Sequence, residues 1–543
     1  MKRTNFYVLT LAFLAASLLA ACTEDKGNYS YSEKTIITIE GIPDEISVLA
    51  HAEHLDLAPI ITSNTEGEIK ADNPDFEFAC MRASSDPKWV DMNPEHTKDV
   101  HYPADMGVGT YLCYYSVTDK RTGITTYKTF NLKVVSTTYE GWMVLCNEGN
   151  EERVRLDMLA QLSPSRYVAA HDVVNIGGEK PALNHATGIS LYSNQRSIGN
   201  KIVMLSESGA YILNNTDLSS DEAFELKKSL FVSTTPDHIV NFTCIPSSAQ
   251  TANHDAIIAV SEEGNAYLWN VREVGAGFED PINTSVRGNA PEYKVASFVG
   301  TTLTRGNGVP AYGIALLFDT TNHRFIGWDS NRDDKQTCYP LTDPTGADKK
   351  FSFQTGTMDL LCMVNTAFSQ GVTYCIMQDG SKRHIYAINV STKDFVQAGS
   401  YEDVQAPGFD KATCFAASSQ YPVLYYAYKN KVYAYNLATR MASEAITLDA
   451  GEEVTCIKFN MYDDPFGVAN LTQKMDETFA EAFAQRQFEL IVGTYDNTRT
   501  DGNGGILRFY ETSSPGTVLT FKPGWEYTGY ARIKDLRYKE VRP

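Results

Sequence analysis

Two loops gather side-chain oxygens closely enough to raise the question of a bound cation. Asp496, Asp501 and Asn503 lie in TYDNTRTDGNGG, and Asp333 and Asp334 lie in DSNRDDKQ. Calcium takes six to eight oxygen ligands, so carboxylates and amides are the right residue types. Neither loop keeps the twelve-residue spacing of the calcium-binding loop, and solvated hairpin turns account for both more simply. His51 and His54 stand three apart, but strand-like text flanks them, so no metal pair is expected there. Trp269 and Trp328 could stack on sugar rings as binding platforms. Both also fall at one late position of a recurring hairpin, and a repeated position fits repeated packing. Paired carboxylates for glycoside cleavage need a defined separation, which spacing along a chain does not give.

Other chemistry is not written in the chain. There is no G-x-S-x-G nucleophile elbow and no Gly-rich phosphate loop ahead of a helix. Neither Cys-x-x-Cys nor His-Glu-x-x-His occurs. SESGAYIL and SEEGNAYLW are superficially like the repeated boxes of sialidases, but lack their aspartate and Trp spacing. No catalytic residue, metal ligand or cofactor is therefore assigned, and the expectation is a protein that is not an enzyme. Ten cysteines are present. Setting Cys22 aside, the others are scattered and odd in number, which is not a disulfide framework. Cys80 and Cys113 are the best-placed pair, each in an apparent strand of one small domain. A bridge between them is one reading; two buried small hydrophobes is the plainer one.

The elements that must hold any site are mainly strands. The chain has 543 residues, too many for one ordinary core, with 31 Tyr and 25 Phe and few helix-favouring runs. Its net charge of −20 argues against nucleic acid and anionic lipid as partners, since both want basic patches. Residues 34–136 carry short strands, ending in the hairpin TYLCYYSVTDKRTGITTYKTFNLKVV, and predict a β-sandwich. From 137 to 543 a hairpin recurs seven times. Its copies begin at 142, 203, 257, 315, 374, 423 and 490. Short strands with Thr-Cys at one place interleave with it at 241–246, 411–416 and 453–458. Four strands per repeat, seven times over, predict a β-propeller of seven blades, because each sheet covers its neighbour and ring closure leaves only short edges. Gly209, Gly264 and Gly380 are read as supplying the positive φ of tight turns. Leu471, Met475, Phe479 and Phe483 form one apolar stripe, predicting an inserted helix over 471–488 that packs on the propeller.

The amino terminus is of a different kind. Lys2 and Arg3 precede an uncharged run from Phe6 to Ala21, too short for a comfortable bilayer crossing and suited to a signal peptide over 1–21. Leu19-Ala20-Ala21-Cys22 resembles the lipobox of bacterial lipoproteins, which implies lipid attachment at Cys22 and cleavage before it. Stable anchoring follows from two or more acyl chains. Residues 22–33 read as a polar tether. Glu24 and Asp25 resemble the acidic export signal that sends Bacteroidota lipoproteins to the outer face of the outer membrane.

Tyr115-Ser116-Val117-Thr118-Asp119 before the turn resembles the last hairpin of PKD-type immunoglobulin-like domains. With LAACTEDKGNYSY ahead of it and a long β-repeat body behind it, the whole chain resembles the PKD-like family lipoproteins of Bacteroidota. That resemblance implies a surface accessory component of a nutrient-uptake system. Its partners would be a TonB-dependent SusC-like porin and a SusD-like lipoprotein, its ligand an oligosaccharide or peptide. A surface glycan-binding protein in the strict sense is the alternative, and a propeller hydrolase or lyase a further one. The resemblance supplies no catalytic residues.

Overall fold

The computed structural model describes residues 34–83, 90–163, 166–176, 183–192, 201–231, 238–245, 256–270, 277–301, 313–330, 332–334, 336–390, 394–460 and 485–539. The signal segment, Cys22 with its tether, and nearly all of the helix expected over 471–488 lie outside these residues. The chain divides into two units at Val134/Val135. Both are built of strands.

The first unit has a five-stranded sheet, a three-stranded sheet and a strand pair around one core. Its longest strands, Gly109–Asp119 and Ile124–Val135, pair along their length from Asp119↔Ile124 to Gly109↔Val134. Alternation puts Cys113, Tyr115 and Val117 inward on one strand and Phe130, Leu132 and Val134 inward on the other. Asp119 closes the turn. It is buried, and its carboxylate accepts from the Arg121 backbone N–H at 3.0 Å and from the guanidinium at 3.0 and 3.1 Å. Those bonds hold its pKa below the usual carboxylate range. The Y-x-V-x-D signature is thus the inward face of a strand plus the acid that fixes its turn.

Among the described residues, the second unit is a succession of seven antiparallel sheets, with one short parallel pair, Asn175–Ile176 and Ser219–Ser220, beside them. Sheet 2 holds Ala186–Tyr192, Lys201–Ser206 and Gly209–Leu213. Sheet 3 holds Ile239–Ile245, Ala256–Ser261 and Ala266–Asn270. Sheet 4 holds Ile314–Asp319, Arg324–Asp329 and Tyr339–Pro340, with residues 295–300 bridged to its first strand. Sheet 5 begins with Asp359–Thr366, sheet 6 with Cys414–Ala417 and sheet 7 with Glu452–Phe459, each followed by three more strands. Sheet 1 is the exception in sequence order. Its first strand is the last of the chain, Arg532–Lys539, paired with Gly141–Glu148, then Arg153–Ser163 and Arg166–Ala170. All seven hairpins read in the sequence are antiparallel pairs here.

Each sheet buries its faces on its neighbours. Separate apolar cores lie between sheets 2 and 3, 3 and 4, 4 and 5, 5 and 6, 6 and 7, and 7 and 1. Sheets 1 and 2 are tied by hydrogen bonds, Val154 N–H to Leu183 O at 2.7 Å and Ala186 N–H to Asn147 Oδ1 at 2.9 Å. The succession therefore closes on itself. Of the three hairpin glycines, Gly264 (φ 84°) and Gly380 (φ 58°) occupy the left-handed region. Gly209, at 159°, sits at the edge of extended backbone, and what it supplies is space: a Cβ there would lie 3.2 Å from Leu183.

Candidate functional site

The first strands of sheets 1, 2, 3, 5 and 7 carry one irregularity in common. Register slips by a residue at Ala186/Gly188, Ile239/Asn241, Leu360/Cys362, Val454/Cys456 and, on Arg532–Lys539, between the partners of Leu145 and Cys146. The extra residues are Thr187, Val240, Leu361, Thr455 and Lys534. A bulge leaves its extra residue unpaired and re-aims it. Four of the five, all but Leu361, line a single cavity of about 430 Å³, bounded by the first strands of sheets 1, 2, 3, 5, 6 and 7 and by residues 298–299 beside sheet 4.

The cavity wall is stitched from strand to strand. On sheet 2, Thr187 Oγ1 donates to Val240 O at 2.9 Å and Ser190 Oγ to Phe242 O at 2.8 Å. Asn365 Nδ2 donates to Val299 O at 3.0 Å, and Cys414 Sγ to Thr455 O at 3.2 Å. Between sheets 7, 1 and 2 the stitch is charged. Asp535 accepts from Lys458 Nζ at 2.5 Å, from its neighbour Leu536 N–H at 2.9 Å and from Ile189 N–H at 3.0 Å. The three Thr-Cys strands are first strands of sheets 3, 6 and 7. Thr243, Thr413 and Thr455 face the cavity. Burial pushes the thiols of Cys414 and Cys456 up, and that of Cys362 to about 12, so they are not nucleophiles at neutral pH.

The residues singled out from sequence go elsewhere. Trp328 is 2% exposed in the core between sheets 3 and 4, so it has no face for a sugar ring. Trp269 is half-buried against the core of sheets 2 and 3, edge-on to Phe278 at 5.5 Å. Packing claims both, and neither lines the cavity. Cys80 and Cys113 are unbridged and buried. Cys80 stands opposite Tyr115 and Cys113 opposite Arg82, so the two are diagonal neighbours on paired strands. His51 approaches Asp105 at 3.7 Å, while His54 stacks on His101 at 4.2 Å, so they share no target. In the acidic loops, Asp496 accepts from Thr498 N–H and Oγ1, Asp501 pairs with Arg499 at 2.6 Å, and Asn503 Oδ1 accepts from Arg155 Nη1 at 2.9 Å. Asp333 and Asp334 are exposed, and Asp334 caps the Gln336 N–H. Among the described residues, no three His, Cys, Asp or Glu side chains are grouped to hold a metal.

Sequence reasoning missed the charged lining, Lys458, Lys534, Asp535 and Arg537. The signal was the stretch ARIKDLRYKE, left over after seven hairpins were counted. A ring needs one such strand to complete its first sheet. It also missed a buried network behind sheet 1. Asp157, fully buried, takes Arg155 through two bonds of 2.9 and 2.7 Å and His171 Nδ1 at 3.1 Å. His171 Nε2 faces Gly529, where a Cβ would lie 3.3 Å away, while its imidazole stays partly exposed to solvent.

Residues 22–179 match the PKD-like family. The match covers the first unit and runs on through Gly141–Glu148, Arg153–Ser163 and Arg166–Ala170 of sheet 1. No curated protein matches the sequence. Among solved structures, a quinoprotein alcohol dehydrogenase-like protein from Bacteroides thetaiotaomicron aligns over 94% of this chain and 100% of its own, at 11% identity and a TM-score of 0.41. A Lactobacillus plantarum protein aligns over 74% of this chain and 100% of its own, at 11% identity and a TM-score of 0.40. The dihydro-heme d1 dehydrogenase NirN aligns over 84% of this chain and 76% of its own, at 10% identity and a TM-score of 0.31. No helix of the described residues is long and apolar enough to cross a membrane.

Proposed function

We propose that the chain is a lipid-anchored protein of the outer-membrane surface whose second unit is a seven-bladed β-propeller binding a ligand on its axis. It is a non-enzymatic binding component of a SusC/SusD-like nutrient-uptake system, taking an oligosaccharide or peptide. The observation that carries the binding reading is the cavity lined by the first strands of the sheets, where bulges place Thr187, Thr455 and Lys534 among the lining residues beside the amides of Asn241 and Asn365. The lining hydroxyls that bond neighbouring strands, and thiols held protonated by burial, suit recognition better than group transfer. The anchor rests on Leu19-Ala20-Ala21-Cys22, and the surface location on Glu24 and Asp25.

Three measurements on the producing cells test this. Labelled palmitate enters the protein and is lost in Cys22→Ser. Protease added to intact cells digests it. Affinity capture from solubilised membranes brings down a TonB-dependent porin. Absence of label from the wild-type chain refutes the anchor, and turnover of a glycan or peptide abolished by one carboxylate substitution refutes the non-enzymatic reading.

A further inference from the structure

The cavity is electrically lopsided. Its lining includes three cations, Lys458, Lys534 and Arg537, and one carboxylate, Asp535, in a chain of net charge −20. All four come from two adjacent strands, Glu452–Phe459 and Arg532–Lys539. The wall contributed by sheets 3, 4 and 5 is uncharged, with Phe298, Val299 and Met363 beside Asn241 and Asn365. Asp535 is already saturated by Lys458 and two backbone N–H groups. Lys534 is different. It is the extra residue of its bulge, it is exposed, and it makes no ion pair among the described residues. Glu453, on the neighbouring strand, is engaged by Arg532 at 3.0 Å. At the equivalent bulges of sheets 2, 3 and 7 the extra residue is Thr187, Val240 or Thr455, so only here does the repeated device deliver a charge.

We infer that the axial cavity selects a small anionic ligand, a sugar acid or other organic carboxylate, whose anionic group is bound by Lys534 while its uncharged body lies toward the Phe298–Met363 wall. This deepens the binding reading above and rests on it. An unpaired ammonium at a recess with low-dielectric walls attracts counter-charge far more strongly than one on an open surface. The ligand's headgroup, carboxylate or sulfate ester, meets the same donors.

The test is calorimetric titration of the purified mature chain with glucuronate, glucose, cinnamate, cinnamamide and inorganic sulfate. The expected result is that the two carboxylates bind and their neutral counterparts do not, with an affinity that falls as salt is raised. Lys534→Gln weakens carboxylate binding at least about tenfold, while Lys534→Arg stays close to wild type. Because Lys534 is exposed, both variants should keep the wild-type melting temperature, which separates a binding loss from misfolding. Glucose or cinnamamide binding as tightly as its acid, unaffected by Lys534→Gln, overturns the anionic class and leaves the binding cavity standing. Sulfate binding alone assigns the site to inorganic anions and overturns the organic class. Failure of every probe overturns both readings.

Discussion

Sheets 5 and 6 meet differently from sheets 7 and 1. The first junction is an aromatic and aliphatic core. Phe409 meets Tyr426 edge-on at 5.1 Å, Tyr426 stacks on Tyr433 at 5.2 Å, and Ile376, Ile385 and Leu424 fill the remainder. Few directed bonds cross it, chiefly from Thr366 and Arg383 to backbone carbonyls. The second junction also has a core, around Trp142, Phe509 and Tyr538, but buried charge surrounds it. Arg155 reaches Asp157, Glu148, Asn503 and Gly529 O. Within sheet 1, where the closing strand docks, Lys539 Nζ donates to Thr138 O at 2.7 Å and Tyr139 O at 2.5 Å, and Tyr538 Oη lies 3.1 Å from Glu140. Sheets 5 and 6 are consecutive in the chain. The closing junction joins residues about 400 positions apart, and a long loop must be closed before any of its contacts form. Where both faces of a strand are apolar, a slipped strand still meets apolar neighbours; directed bonds have fixed partners, and a one-residue slip, which turns every side chain to the other face, breaks them. The difference teaches that this fold spends its directional interactions where the ends meet.

The largest effect expected from that comparison is on the closing strand itself. Ending the chain after Ala531 removes Arg532–Lys539, leaves the Gly141–Glu148 edge unpaired and exposes Trp142. The second unit should lose its cooperative thermal transition by circular dichroism and bind a hydrophobic dye; an unchanged transition would show that closure contributes little. Next comes the buried network. Asp157→Ala strands Arg155 without its bidentate partner and should destabilise by about 3–5 kcal/mol in urea titration, whereas Arg155→Met with Asp157→Leu should recover most of that loss. Phe409→Ala at the other junction should lose a similar amount by leaving a cavity, with no second substitution that restores it.

What was legible in the sequence was local. Hairpins announce themselves by alternation and by turn residues within a dozen positions, so all seven could be read, and Asp119 could be placed at its turn. Three of the first strands were found because Thr-Cys repeats at 243, 413 and 455. Ala186–Tyr192 and the segment at 298–301 share no such marker. Arg532–Lys539 resembles no first strand, since its partners lie at the other end of the chain. Arg155, Asp157 and Asn503 look like ordinary surface polar residues until folding brings the loop at 503 onto Arg155. Trp328 shows the converse. Its type allows a sugar platform, but its repeated late-hairpin position favours packing, and Trp328 is buried in the core between sheets 3 and 4.

Lys539 offers a smaller effect with a definite sign. It is 1% exposed, and burial lowers its pKa to about 8 from the ordinary 10.5, despite Glu140 and Asp217 nearby. Between those values the unfolded chain holds a proton that the folded chain has released. Stability therefore rises with pH across the window from about 8 to 10.5, by up to about 3 kcal/mol for a shift of this size. Buried tyrosines with raised pKa values, such as Tyr425, act in the opposite direction above pH 10, so the comparison must be with Lys539→Met. The difference in urea midpoint between wild type and that variant should move in favour of wild type from pH 8 to pH 10. A constant difference would mean that Lys539 does not release its proton in the folded state.

The smallest effect probes the junction that lacks a charged network. Thr366 Oγ1 donates to Ser418 O at 2.7 Å, and both residues are buried. Thr366→Val keeps the shape of the side chain but leaves that carbonyl without its hydroxyl partner. A net hydrogen bond contributes about 1 kcal/mol, and an unsatisfied buried acceptor raises the loss to about 1–3 kcal/mol. The substitution should therefore lower stability by less than Phe409→Ala does, because the aromatic core beside it is untouched. If Thr366→Val instead matched Asp157→Ala, directed bonding would govern the consecutive sheets as strongly as the closing ones. The contrast between the two junctions would then reflect only which side chains happen to be charged.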